Sequence, residues 1–166
     1  MKNLLQSLSE TLDKMILTYK DIFIAAQSKQ EHIISGDIDK LETVIYQERN
    51  HAETIVLLEQ KRRYILQTIY KELGYDSDST KLSDLIEQLK DPYKSRVKEQ
   101  YDTIIEIVTQ VEGVNKSNTT LTKYSLEYIN NLVKSICTES LNDSTYQQSG
   151  KFSKPELHRL MFEVSA

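Results

Sequence analysis

The sequence contains few residues that break helices. Among its 166 residues are only 4 glycines and 2 prolines, whereas ordinary usage of about 7% glycine and 5% proline would give about 20 of the two together. A β-sandwich or barrel needs frequent turns, and a doubly wound α/β fold needs glycine-rich turns between strands and helices. The shortage argues against both classes and predicts an all-α fold of a few long helices.

Cysteine, excess basic charge and long apolar runs are also missing. The one cysteine, Cys137, cannot form an internal disulfide, and we expect it in a half-buried apolar position in a reducing compartment. Basic residues number 21 against 25 acidic ones, so no nucleic-acid partner is expected. No segment resembles a signal peptide or a membrane helix. We therefore expect a cytoplasmic protein without membrane insertion.

Apolar residues recur at alternating steps of three and four, the spacing of helices that pack in a left-handed supercoil. The first helix is predicted from Asn3 to about Ile34, and Lys29 is the one break in its apolar stripe. Gly36 can adopt the left-handed conformation that ends a helix, and Asp37 can cap the next one. The sequence therefore predicts an antiparallel helical hairpin.

The second helix is predicted from Asp37 to Leu73, with polar interruptions of its stripe at Glu48, Glu59 and Arg62. Because Glu59 and Arg62 lie one turn apart, we expect them to form an ion pair that fixes register. The predicted stripe consists of Ile38, Leu41, Ile45, Ala52, Ile55, Leu58, Leu66, Ile69 and Leu73.

A short third helix and a long fourth helix complete the predicted bundle. The third is predicted from about Thr80 to Lys90, after Gly74 ends the second helix. The fourth is predicted from Pro92 to about Thr138, since Asp91 followed by proline is a strong helix start. At about 1.5 Å per residue the fourth helix is the longest, so it overhangs the hairpin or bends at Gly113. Its second half is predicted to lack an internal partner.

The chain is predicted to have one folded domain and a tail. Residues 1–138 form the helical bundle, and residues 139–166 form a flexible polar tail. The segment from Pro155 to Val164 has the apolar spacing of a short amphipathic helix. This segment either docks on the bundle or on a partner, or it is disordered; both alternatives stay open.

Catalytic motifs are absent from the sequence: it has no phosphate-binding glycine loop and no nucleophile elbow. Glu48 and His51 match half of the di-iron motif of four-helix carboxylate proteins, but no second unit of that motif occurs. We expect them to form a surface pair instead. The sequence therefore predicts no enzyme, no cofactor and no metal, and a ferritin-like oxidase is the least favoured class.

Polar residues replace aliphatic ones in the middle of the fourth stripe, at Asn115, Asn118 and Ser125. Buried amides in a heptad stripe can specify register. Two amides one turn apart that lead into Leu121, Tyr124 and further apolar residues also suit a groove that binds a partner. Both interpretations stay open.

Several motifs, in order over about residues 4–150, resemble the FlgN-type flagellar export chaperones. The resemblance begins with a leucine-rich first helix and continues through Gly36-Asp37, Leu58-Glu59-Gln60-Lys61-Arg62-Arg63, Leu73-Gly74, Leu82-x-x-Leu85-Ile86, Asn115-x-x-Asn118-x-x-Leu121-x-x-x-Ser125-Leu126-x-x-Ile129 and Thr145-Tyr146-x-x-x-Gly150.

The resemblance implies a cytoplasmic chaperone that binds the C-terminal amphipathic segments of hook–filament junction proteins. Such a chaperone prevents premature assembly and delivers its substrates to flagellar type III export; components of the export apparatus are further candidate partners. The motif implies five partner-binding positions, and helical adjacency adds Tyr124, Tyr128 and Leu132. The five are Asn115, Asn118, Leu121, Ser125 and Ile129.

The same helices also fit a second functional class. A structural coiled-coil or adaptor protein would self-associate through the stripe of the fourth helix, whereas a chaperone is expected to be a monomer or weak homodimer.

Overall fold

The computed structural model describes residues 1–74 and 81–142, with side chains to residue 137. Its described part is all-α, which confirms the predicted fold class. Helices α1, α2, α3 and α4 span Lys2–Ser35, Ile38–Glu72, Leu82–Gln88 and Tyr93–Asn142. Each begins and ends within a few residues of its predicted bounds. Residues 143–166, which contain most of the predicted tail, lie outside the described residues.

The predicted hairpin turn between α1 and α2 is present. Gly36 has φ 70°, and its N–H donates to the carbonyl of His32. The Asp37 carboxylate accepts a hydrogen bond from the backbone N–H of Lys40 at 3.2 Å. A helix can end in this way because glycine adopts a positive φ without steric cost, while a side-chain oxygen satisfies a free N–H at the next helix start.

The start of α4 is capped by Asp91, as predicted. Asp91 Oδ1 accepts hydrogen bonds from the backbone N–H of Ser95 at 3.2 Å and from its hydroxyl at 2.6 Å. These two bonds, the one from the hydroxyl first, lower the pKa of Asp91. The helix itself begins at Tyr93, one residue later than predicted.

Helices α1 and α2 lie antiparallel along the hairpin. At its open end the N-terminal ammonium of Met1 lies 2.9 Å from Glu72. Farther along, Lys29 Nζ lies 2.6 Å from Glu48 Oε2. Residue numbers rise in α1 as they fall in α2, as a short connection requires.

Helix α4 lies beside α1 and runs parallel to it. The Ser9 hydroxyl donates to Gln100 Oε1 at 3.1 Å, and Gln100 Nε2 donates to the Ser9 carbonyl at 3.0 Å. Farther along both helices, Asn118 Nδ2 donates to the carbonyl of Ala26 at 2.8 Å. Polar contacts therefore join α1 and α4 at two separate levels of the bundle.

The main apolar core lies at the end of the bundle where all four helices meet. The N-terminal part of α1, the C-terminal part of α2, all of α3 and the first turns of α4 contribute to it. Its buried members are Leu5, Leu8, Leu12, Met15, Ile65, Leu66, Ile69, Tyr70, Leu82, Leu85, Ile86 and Val97.

The predicted stripe of α2 is wrong in its first half. Ile45 is 47% exposed while Val44 is 6% exposed, and Ile38 is exposed as well. The seam with α1 passes through Val44, Glu48 and half-buried Ile55, so Glu48 belongs to the seam. Its charge is tolerated there because Lys29 of α1 pairs with it.

One compact unit comprises Met1–Leu126, and a second begins at Glu127. Every described side chain of the second unit, from residue 127 to residue 137, is exposed. Cys137 is among them, so its predicted half-buried position is wrong. None of the described helices combines the length and apolar character that a membrane crossing would require.

Candidate functional site

Lys29 joins three helices through its ammonium group. It donates to Glu48 Oε2 of α2 at 2.6 Å and to Asn115 Oδ1 of α4 at 3.2 Å. The side chains of Lys29 and Glu48 are each only 19% exposed. The residue that interrupts the stripe of α1 therefore contacts polar residues in the stripes of α2 and α4.

Asn118 forms the next polar contact, one turn farther along α4. Its side chain is 3% exposed, and Nδ2 donates to the Ala26 carbonyl at 2.8 Å. The small side chain of Ala26, which is fully buried, lets the amide approach the backbone of α1. Asn118 Oδ1 accepts no hydrogen bond from any residue that the structure describes.

These residues form what we call the polar clasp: Lys29, Glu48, Asn115, Asn118 and the Ala26 carbonyl. The contacts support the register interpretation of the two amides, because both bind residues of the protein's own hairpin. A direct contact of Asn115 or Asn118 with a partner stays a prediction.

Beyond the polar clasp the side chains of α4 become exposed. Leu121 is half-buried, and every described side chain from residue 122 to residue 137 is exposed. In the first unit the exposed ones include Tyr124, Ser125 and Leu126. Tyr124 and Leu126 are large apolar side chains in contact with solvent, which agrees with a helix longer than its internal packing surface.

The second unit presents an apolar helical face, which we call the distal α4 face. It consists of Tyr128, Ile129, Leu132, Val133 and Ile136, all exposed. At about 100° per residue these side chains fall within an arc of about 140°. The predicted residues Tyr128, Ile129 and Leu132 thus lie on one face. Val133 and Ile136 extend it and were missing from the predicted site, although their spacing from Ile129 is helical.

The predicted ion pair within α2 is also present. Arg62 Nε donates to Glu59 Oε2 at 2.6 Å, and Arg63 Nε donates to Glu59 Oε1 at 3.0 Å. The hydrogen bond from Arg62 is the main cause that lowers the pKa of Glu59. Burial, and then the Glu59 charge, raise the pKa of nearby Tyr19.

The predicted pair of Glu48 and His51 is not formed, because Glu48 binds Lys29 of α1 instead. Among the described residues no three histidine, cysteine, aspartate or glutamate side chains are close enough to hold a metal ion. Glu48 therefore joins α1 and α2.

One comparison with known proteins gives a family. The family model described as FlgN protein matches residues 1–154. A similar curated protein is the uncharacterized protein YvyG of Bacillus subtilis (strain 168), which is 20% identical over 162 residues, or 97% of this chain and 98% of YvyG. No solved structure matches the chain. Since the family match covers nearly the whole chain, including all four described helices, this protein belongs to the FlgN family of flagellar export chaperones.

Proposed function

We propose that this protein binds the C-terminal amphipathic segments of hook–filament junction proteins in the cytoplasm, prevents their premature assembly and delivers them to flagellar type III export. The observation that carries the proposal is the distal α4 face, an exposed apolar surface on a chain of the FlgN family. Exposed apolar faces of this kind mark surfaces that bind other proteins.

The helical geometry fits an amphipathic partner. Leu121, Tyr124, Tyr128, Ile129 and Leu132 follow one another at steps of one, three or four residues. An amphipathic segment that places apolar anchors at i, i+3, i+4 and i+7 can pack against such a surface. Binding would remove apolar area of both chains from water, worth about 25 cal/mol for each Å² buried.

The polar predicted residues have different proposed parts in binding. Ser125 is exposed and is available to hydrogen-bond the partner. Asn115 accepts a hydrogen bond from Lys29 of α1, and Asn118 donates one to the Ala26 carbonyl of α1. We propose that these two amides support the site by fixing the position at which the exposed part of α4 begins.

Co-purification with a junction protein of the same organism tests the proposal. Ile129→Asp combined with Leu132→Asp places two charges on the distal α4 face and is expected to abolish co-purification. Both positions are exposed, so circular dichroism should remain helical.

The matched control is Leu17→Asp combined with Ile24→Asp. These residues are each 62% exposed on α1, and the pair carries the same change of side chains. Co-purification should survive in the control. Retention of the junction protein by the α4 variant would refute the assignment of the binding surface.

The exposed α4 residues also fit a second copy of the chain, as a structural coiled coil would require. Light scattering on dilute protein separates the two functions. A stable dimer that Ile129→Asp with Leu132→Asp dissociates, together with no binding of a junction protein, would favour the structural class. A monomer that binds a junction protein supports the chaperone.

A further inference from the structure

A cavity of about 430 Å³ lies in the first unit, between α1, α2, α4 and the start of α3. Leu12, Met15, Leu82, Ile104 and Val108 are among the apolar side chains that line it. Its volume lies in the range of about 300–1,000 Å³ that is usual for ligand sites. The distal α4 face contributes no residue to it.

Polar side chains also line the cavity. Glu59 and Arg62 pair there, and Arg62 is only 17% exposed. The half-buried Tyr19 lines the cavity as well, and its hydroxyl forms no hydrogen bond with any residue that the structure describes. An apolar cavity with a few polar groups that can orient a ligand is the usual form of a binding site.

The surroundings of the cavity show what kind of molecule fits it. Helix α3 has only seven residues, and it buries Leu82, Leu85 and Ile86, spaced at i, i+3 and i+4. An amphipathic helix of this chain therefore already packs at one end of the cavity. Because Leu82 also lines the cavity, a second amphipathic helix could continue the apolar contacts made by α3.

Charge favours an acidic helix. The described lining contains the cations Arg62 and Lys81 and a single carboxylate, that of Glu59. Arg62 already pairs with Glu59, so Lys81 adds a positive charge that no other carboxylate of the described lining offsets. A partner that places an acidic side chain beside its apolar anchors would balance this excess of positive charge.

We infer that the cavity receives apolar side chains of an acidic amphipathic helix of the export substrate, as a second anchor point in addition to the distal α4 face. The inference rests on the proposed function, since the substrate is the partner that the chaperone holds. It adds a specificity site: substrates would be selected by apolar anchors with a neighbouring carboxylate.

Tryptophan fluorescence offers a direct test because the chain contains no tryptophan. Ile105 lines the cavity and is 50% exposed, so Ile105→Trp places a single indole there with little effect on folding. The probe is a synthetic peptide of the C-terminal segment of the junction protein. Its titration is expected to shift the indole emission to the blue with saturation.

Affinity variants provide the second readout, measured by calorimetry with the same peptide. Ile105→Asp should weaken binding at least about tenfold, and Lys81→Glu should weaken it less. The matched control is Ile24→Asp on α1, where the isoleucine is 62% exposed and lies outside the cavity. Its affinity should equal that of the wild type.

Each contrary outcome has its own meaning. Unchanged affinity in Ile105→Asp, with binding lost in Ile129→Asp combined with Leu132→Asp, would overturn the cavity site and leave the proposed function intact. A red shift of the Ile105→Trp emission without peptide, caused by Leu157→Asp with Leu160→Asp in the full chain, would identify this chain's own C-terminal segment as occupant and overturn the inference. No binding of the peptide or intact junction protein to the wild type would overturn the inference and the proposed function together.

Discussion

The two halves of α4 have similar apolar repeats but different surroundings. In its first half, Val97 is fully buried and Ile107 is buried as well. Farther along, Ile129, Leu132 and Ile136 are exposed. The periodicity of a stripe therefore predicts a helix but does not tell which part packs internally. The part that extends beyond its internal contacts is the natural place for a partner.

The polar clasp lies at the change between the halves. Asn118 is the last buried residue described in α4, and its contact with Ala26 belongs to α1. A buried amide contributes less to the stability of the fold than an aliphatic side chain does, unless its hydrogen bonds are satisfied. It nevertheless fixes the register of the helices that it joins. The clasp thus holds α4 against α1 at the last level where a described side chain of α4 is buried.

The strongest effect is expected from removing an apolar side chain of the core on which the first half of α4 packs, compared with one in the exposed second half. Leu8→Ala, at a fully buried position of the core, should lower the free energy of unfolding by about 2–5 kcal/mol because it leaves a cavity. Leu126→Ala, at an exposed position, should change it by less than about 0.5 kcal/mol. Urea unfolding followed by circular dichroism measures both. Equal losses would contradict the contrast between the halves.

Asn118→Ala tests the polar clasp and should have a smaller effect. Loss of the hydrogen bond to Ala26 should lower the free energy of unfolding by about 1 kcal/mol. Asn130→Ala is the matched control, since Asn130 is exposed and alanine there should stabilise α4 by a few tenths of a kcal/mol, roughly. The same urea measurement applies. If Asn130→Ala lowers the free energy of unfolding as much as Asn118→Ala does, the hydrogen bond of Asn118 does not stabilise the fold.

Glu59→Gln should have the smallest effect, and that effect should depend on pH. The bond from Arg62 lowers the pKa of Glu59 below its ordinary 4.5 in the folded protein, so ionised Glu59 stabilises the fold above pH 4.5. This contribution is lost as the pH falls below 4.5 through the lowered folded pKa. At pH 7 the variant should therefore be less stable by about 0.3–1 kcal/mol, and the difference should shrink on acidification.

Urea unfolding at pH 7 and at a series of lower pH values measures this difference. Glu53→Gln is the control, because Glu53 is exposed on α2 and makes no ion pair with a described residue. Its stability should follow that of the wild type at every pH. A constant difference between Glu59→Gln and the wild type across the series would show that the ion pair does not cause it.

The helices could be predicted from the sequence because their ends depend on local contacts. Gly36 and Gly74 have positive φ where each helix ends. Asp37 and Asp91 bind backbone N–H groups only three and four residues away. Such contacts are contained in a short stretch of sequence, so residue type and spacing are sufficient to find them.

The contacts that position α4 could not be predicted in this way. Lys29 and Asn115 are 86 residues apart, and Ala26 and Asn118 are 92 residues apart. Their pairing depends on α4 lying parallel to α1, which no local pattern specifies. The polar residues that interrupt the stripes can be found in the sequence. The sequence does not show which of these residues contact one another.

The exposed part of the candidate site was easier to predict. A fourth helix longer than the hairpin must extend beyond it or bend, and Tyr124, Tyr128, Ile129 and Leu132 are indeed exposed. Whether they bind a substrate depends on a second molecule, and the sequence of one chain contains only the resemblance to a family as a guide to it.

Hydrogen exchange of the free protein and of its complex with a junction protein tests whether the exposed part of α4 is the binding surface. Backbone amides of residues 124–136 should exchange more slowly in the complex, because a bound amphipathic segment would cover this part of α4 and suppress its opening. Amides of core residues such as Leu8 and Leu12 should change little. A complex in which residues 124–136 exchange as fast as in the free protein would show that the junction protein does not bind there.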